Sequence, residues 1–221
     1  MNERYAQDVL ERVGAIITDS HIVYTSGRHG SAYINKDALY PHTRETSNLC
    51  CEIAERFSND SVDVVIAPAV GGVILSQWVA YHLTEITGRE VLGVYADKDS
   101  GRGGDGFIRD EFVIKRGYDK LIAGANVLVV EDLLTTGGSV RKVVAAVRAE
   151  HGNVVGVGVL CNRGGVTPAD IGGAKKLVAL VNIEMKSMTE EECTSTGLCA
   201  KGIPVNTIIG HGKEFLARRE A

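Results

Sequence analysis

Glu131 and Asp132 stand side by side at the end of an apolar run in the stretch VLVVEDLLTTGGSV (127–140). Two adjacent carboxylates can accept hydrogen bonds from a pair of neighbouring hydroxyls, or lie near a cation that a ligand carries. Leu133 and Leu134 then lead into Thr135, Thr136, Gly137, Gly138 and Ser139. Glycines there permit close backbone approach and unusual dihedrals. Hydroxyls and amide N–H groups would converge at the positive end of the helix that follows, which suits a phosphate. One short segment therefore offers a grip for a sugar diol and a cradle for a phosphate, spaced like the two ends of a phosphorylated ribose. An acidic strand end before a capped helix is the plainer reading. The apolar run before the string and the amphipathic helix after it favour the chemical one.

Other groups point the same way with less force. Lys98 to Gly106 reads KDSGRGGDG, a glycine-rich stretch in which Lys98 and Arg102 can reach an anionic leaving group. A loop this rich in glycine needs a reason in a compact domain, and a lid over a reaction is one. The stretch also matches G-x-G-x-x-G at 101, 103 and 106, but FIRDEFVIK after it is no amphipathic helix, so a dinucleotide site is not expected. Pro68 to Gly72 (PAVGG) ends one strand and begins a helix, so backbone N–H groups at Val70 and Gly71 could approach an anionic ligand.

Cys193, Cys199 and His211 form a spaced set short of the four good ligands that zinc requires. A structural or thiol role is expected instead, and no metal-ligating residue is assigned. Ser187-x-x-Glu190 predicts a capping box at a short helix in the same tail. Trp78 and Tyr81 are expected to pack in the core, and His82 and His151 to be structural.

These residues need elements to hold them. VDVVIAPAV (62–70), EVLGVYADK (90–98), NVLVVEDLL (126–134), NVVGVGVLCN (153–162) and KLVALVNI (176–183) are continuous apolar strands. Helices are expected at 3–15, at Thr43 to Phe57 with Thr43 as N-cap, at 72–87, and at 139–152 closed by Gly152. Apolar strands alternating with helices imply an α/β fold whose parallel sheet is covered on both faces. Ligands then bind at the carboxyl ends of the strands, where Glu131 and Asp132 emerge. Residues 20–40 read as short strands and turns, and the segment after Gly106 as an antiparallel excursion.

The chain has 221 residues, 44% of them hydrophobic and 24% charged, which suits one α/β domain with a modest addition. A net charge of −4 argues against a general nucleic-acid or membrane-surface binder. Five cysteines, an odd number, make no disulfide framework. The charged N-terminus lacks the apolar stretch of a signal peptide, and no run is long enough to span a bilayer, so a cytoplasmic location is expected.

VLVVEDLLTTGGSV resembles the phosphoribosyl-pyrophosphate signature of type I phosphoribosyltransferases. HIVYTSGRHGSAYINKD (21–37) resembles the N-terminal substrate segment of the orotate enzymes of that family, APAVGGV (67–73) their pyrophosphate loop, and LCNRGG (160–165) the place of an orotate-holding arginine. The resemblance implies a single domain over 1–221, with a hood at about 16–42, a core at about 60–185 and a tail at 186–221. It implies a homodimer whose flexible lid loop acts across the interface, with Mg2+ as cofactor. The substrates would be phosphoribosyl pyrophosphate and a nucleobase, first of all orotate, in pyrimidine nucleotide biosynthesis. By resemblance Lys98, Arg102, Glu131 and Asp132 serve catalysis, Thr25, Tyr33, Ile34 and Thr135 lie near the base, and Arg163 faces its carboxylate. Orotate enzymes usually carry lysines where Thr25 and Gly71 stand, and an acid where Asn162 stands. A purine or other nucleobase acceptor, or a regulator that senses phosphoribosyl pyrophosphate without catalysis, are the alternatives.

Overall fold

A computed structural model describes residues 3–99, 110–183 and 185–220. In chain order the first elements are α1 (Glu3–Arg12), β1 (Ile16–Ile17), β2 (Ile22–Val23), β3 (His29–Gly30), β4 (Tyr33–Ile34) and α2 (Thr43–Phe57). Then come β5 (Val64–Pro68), α3 (Val73–Thr87), β6 (Leu92–Asp99), β7 (Glu111–Val113), α4 (Asp119–Ile122), β8 (Asn126–Leu134) and α5 (Gly138–Ala149). The last are β9 (Asn153–Asn162), β10 (Leu177–Asn182), β11 (Ser187–Met188), α6 (Glu190–Thr196) and α7 (Gly212–Glu220). They fall into two compact units, residues 1–7 with 40–183, and residues 8–39 with 184–221.

The larger unit is built on a six-stranded sheet ordered β10-β9-β8-β5-β6-β7. Its neighbours pair in parallel except β7, which runs antiparallel to β6 as the expected excursion. β5 (VVIAP) is buried along its whole length, because helices cover both faces and leave no side for polar residues. Alternation along the strands divides the packing. Val64, Ile66, Val127, Val129, Val157 and Val159 join Val140, Val143, Val144 and Val147 of α5 in one apolar cluster. On the other face Gly156 and Gly158 of β9 meet α2. A Cβ at Gly156 would stand 2.5 Å from Phe57 Cε1, and one at Gly158 2.6 Å from Ile53 Cγ2. Bare backbone at these two positions lets the helix lie close. Burying a side chain such as Phe57 contributes about 1.5–3 kcal/mol.

Local differences from expectation have local causes. α1 stops at Arg12, because the chain turns at Gly14 (φ +73°) and Ala15 N–H donates back to the Leu10 carbonyl at 2.8 Å. Thr43 is already helical, and His42 is the cap, without a side-chain bond. α5 ends at Ala149, and Gly152 lies beyond it, its N–H bonded to the Val147 carbonyl. Trp78 is half-buried and Tyr81 is 52% exposed, so neither sits in the core. They form an edge-to-face pair (5.8 Å) on α3 instead. His82 of α3 bonds Ser47 of α2 at 2.9 Å, a structural role.

The smaller unit is made of short pieces. β3 pairs antiparallel with both β2 and β11, and β1 with β4. The capping box of α6 is Thr189 with Glu192, two residues beyond the expected pair. Glu192 N–H donates to Thr189 Oγ1 at 3.1 Å, and Thr189 N–H to Glu192 Oε2 at 2.7 Å. Ser187 is spent on β11, where its hydroxyl and carbonyl accept from Arg28 at 2.9 and 2.6 Å. Among the described residues no helix is long and apolar enough to cross a membrane.

Candidate active site

β8 delivers Glu131 and Asp132 to the carboxyl edge of the sheet almost wholly buried, 7% and 4% exposed. Buried carboxylates need hydrogen-bond donors. Asp132 N–H donates to Glu131 Oε1 at 3.1 Å. The Tyr40 hydroxyl lies 2.9 Å from Asp132 Oδ2 and 2.5 Å from the Gly71 carbonyl, so its one proton serves either acceptor. Burial first, and then the Asp132 carboxylate, hold the Tyr40 phenol far above its ordinary range. It therefore stays a donor throughout the working pH range and ties the turn after β5 to the acid of β8. Nothing around Tyr40 in YPHT marks it as functional; only the fold brings it to Asp132.

Past Leu134 the chain turns through Thr135 and Thr136, both exposed, into α5. Gly137 caps the helix at φ +72°, and a Cβ there would stand 2.7 Å from Ile171 Cγ2. Only glycine satisfies both the left-handed backbone and the close wall. The first amides of α5 have no intrahelical acceptor and carry the positive end of the helix dipole. They and the threonines line a pocket of ≈ 130 Å³ whose walls run from Glu131 through Leu133 to Val140. That is below the roughly 300 Å³ that drug-sized ligands need, and suits one small anionic group.

The neighbouring strand ends contribute the rest. The turn after β5 carries the exposed Val70 and the half-buried Gly71, and its Ala69–Val70 peptide is cis. A Cβ on Gly72 would stand 2.7 Å from that of Ala67, which explains a glycine there. Lys98, near the end of β6, pairs with Asp110 at 3.4 Å, and Asp110 also meets Lys142 of α5 at 2.6 Å. Lys142 first, then Lys98, lowers the Asp110 pKa. Arg102 and the glycines of the expected lid lie outside the described residues.

After β9, Arg163 Nε donates to Thr135 Oγ1 at 2.9 Å, so the arginine touches the turn between β8 and α5. Asn162 is buried and binds the next turn at both ends. Its Nδ2 donates to the Val166 carbonyl (2.9 Å), and its Oδ1 accepts from Val166 N–H (3.0 Å). An acid could not make the first of these bonds, so the asparagine at this position has a structural reason.

Three sequence-predicted residues belong to the smaller unit. Thr25 is exposed, with Oγ1 3.1 Å from His211 Nε2. Tyr33 is half-buried and Ile34 buried on the β1–β4 ladder. His29 is fully buried.

With this geometry in view, the comparisons become specific. A family model described as a phosphoribosyl transferase domain matches residues 40–192. The chain belongs to the phosphoribosyltransferase family. A protein named orotate phosphoribosyltransferase from Pelotomaculum thermopropionicum is 37% identical over 196 residues, 89% of this chain and 91% of its own. One of the same name from Thermus thermophilus is 36% identical, over 91% of this chain and all of its own. Among solved structures, orotate phosphoribosyltransferase from Aeropyrum pernix superposes with a TM-score of 0.61 at 25% identity, covering 88% of this chain and 97% of that one. The pocket between β8 and α5 lies within the segment that defines this phosphoribosyltransferase as such. Tyr40 is the first residue of the matched span.

Tyr40→Phe tests the tie between the two turns of this phosphoribosyltransferase. It removes the one buried donor that the Gly71 carbonyl and Asp132 share, at about 1–3 kcal/mol. A lower melting temperature and a KM for phosphoribosyl pyrophosphate raised roughly tenfold are expected. Unchanged values for both would remove Tyr40 from the site.

Proposed function

We propose that the chain transfers the 5-phosphoribosyl group of phosphoribosyl pyrophosphate to orotate, giving orotidine 5'-phosphate and pyrophosphate. The observation that carries this reading is the buried Glu131, with Asp132 buried beside it in β8, lining the same small pocket as the N-terminus of α5. The carboxylates take the ribose hydroxyls, and the turn 135–139 takes the 5-phosphate. The bond from the anomeric carbon to pyrophosphate breaks, one to the base nitrogen forms, and that nitrogen gives up its proton. Such a reaction asks for positioning, stabilisation of departing negative charge and exclusion of water.

Backbone N–H groups at Val70 and Gly71, with Lys98, take the pyrophosphate in this reading. The Lys98–Asp110 pair is exposed on both sides, so little holds the lysine away from a competing phosphate. Arg102, outside the described residues, is proposed on the family resemblance as a second cation for the pyrophosphate. Mg2+ fits this site, since two carboxylates lie where a hard cation carried by a polyphosphate would bind. When bound, it would neutralise charge developing on the leaving group.

Orotate as acceptor is supported by the relatives that bear its name, and by Arg163. A guanidinium grips a carboxylate through two parallel bonds, and Thr135 holds this one at the rim of the pocket. Arg163→Ala should lower kcat/KM for orotate by about a hundredfold and leave KM for phosphoribosyl pyrophosphate nearly unchanged. An equal loss for both substrates would place Arg163 on the sugar instead.

Thr25, Tyr33 and Ile34 are proposed base contacts on the family resemblance alone. The protein works as a homodimer whose lid reaches the partner's site. The outward side of α3, with Ile74, Trp78 and Tyr81, offers an apolar face for the second copy. Five free cysteines suit a reducing cytoplasm. A panel of nucleobases with phosphoribosyl pyrophosphate and Mg2+, followed by pyrophosphate release, tests the whole reading. Release with orotate alone is expected. Release with a purine would reassign the acceptor, and release with none would leave a sensing role.

A further inference from the structure

The smaller unit gathers four metal-ligating side chains that the transferase reaction does not use. His21, His29, Cys193 and Cys199 each offer one ligand atom, and these atoms all lie within 4.8 Å of one another. His21 Nε2 is 2.9 Å from His29 Nδ1, 3.6 Å from Cys193 Sγ and 3.7 Å from Cys199 Sγ. Cys199 Sγ is also 3.7 Å from His29 Nδ1. In a tetrahedral zinc site, Zn–N of about 2.0–2.1 Å and Zn–S of about 2.3 Å put ligand atoms about 3.3–3.8 Å apart. The three sulfur–nitrogen distances of 3.6, 3.7 and 3.7 Å match that frame. The two imidazole nitrogens need only part by a few tenths of an ångström.

We propose that this cluster is a structural zinc site with two histidine and two cysteine ligands. The surroundings are those of ligands held in place. His21 Nδ1 lies 2.8 Å from the Ile203 carbonyl, which can only accept, so the proton is on Nδ1 and the lone pair of Nε2 points into the cluster. A backbone carbonyl on the far nitrogen is the usual partner of a metal-bound histidine. Cys193 Sγ accepts from Cys199 N–H at 3.3 Å, a contact that holds the sulfur in place. His29 is fixed in the middle of the β2–β3–β11 sheet, and the Phe215 ring stands edge-to-face against it at 4.8 Å. Three of the four ligands are buried, and none is exposed.

The sequence alone hid this set. It pairs residues 172 positions apart, and the histidine expected beside the cysteines, His211, is occupied with Thr25. The need is physical. Among its described residues this unit has five strands of two residues each beside the short helices α6 and α7, little regular structure on which to build a large core. Small scaffolds of that kind are stapled by metals or disulfides. S2N2 donors in tetrahedral array select zinc over the oxygen-seeking Mg2+ of the transfer site.

The test is elemental analysis of the full-length protein purified under reducing conditions. About one zinc per chain is expected, lost in Cys193→Ser and in His21→Asn, and retained in Cys51→Ser. Removal by a strong chelator should lower Tm by more than about 5 °C, reversed by adding zinc. Should the ligand variants not fold, cobalt(II) exchanged into the unaltered protein reads the same site. The visible absorption of tetrahedral cobalt with thiolate charge transfer supports the proposal. Zinc content near zero, an octahedral cobalt spectrum, or a Cys193–Cys199 disulfide in the purified protein overturns it.

Discussion

Replacing Glu131 by Gln and Asp132 by Asn together is expected to lower kcat/KM for phosphoribosyl pyrophosphate about a thousandfold, since each charge-assisted bond is worth about 1.5–3 kcal/mol. The amides are close in shape to the acids and keep one acceptor oxygen each. The Tyr40 bond to position 132 and the local bond from Asp132 N–H to side chain 131 can therefore both survive. What disappears is the negative charge that strengthens acceptance from sugar hydroxyls and attracts a cation. The melting temperature should stay within about 5 °C of the parent, because a buried charge contributes little net stability. Steady-state kinetics beside thermal melts separate the two effects. Full activity with both charges removed would end the diol assignment.

Gly137→Ala is the second large effect, and it acts through backbone. An L-residue in the left-handed region costs about 1–2 kcal/mol. The added methyl would also stand 2.7 Å from Ile171 Cγ2 and 3.0 Å from Val166 Cγ1, both buried. Overpacking of that kind costs about 1–3 kcal/mol more. The chain can relieve both only by moving the turn that presents Thr135, Thr136 and the α5 amides. Stability should fall by about 2–5 kcal/mol in denaturant unfolding. Binding of ribose 5-phosphate should be lost at concentrations that saturate the parent. Gly173→Ala is the comparison. Its φ is +67°, yet a methyl there meets nothing within 4 Å, so it should show the backbone cost without the loss of binding.

Much of this protein is legible in its amino-acid order, for a local reason. β8 and β9 begin and end where the sequence runs do, because strands covered on both faces are mostly apolar, the acids of β8 excepted. The acids of β8, the glycine cap at Gly137 and the first turn of α5 are consecutive, so the proposed sugar-phosphate site can be read from one stretch of chain. Arg163 follows the next strand by the same rule. Tertiary structure alone decided what depends on distant residues meeting. Tyr40 becomes a partner of Asp132 across 92 positions, and Asn162 is needed for a turn it closes on both sides. His21 and His29, not His211, join Cys193 and Cys199 because β3 lies between β2 and β11. Spacing along a chain reports neighbours within one helix or strand. Contacts between elements follow from how those elements pack, and that information is spread over the whole core.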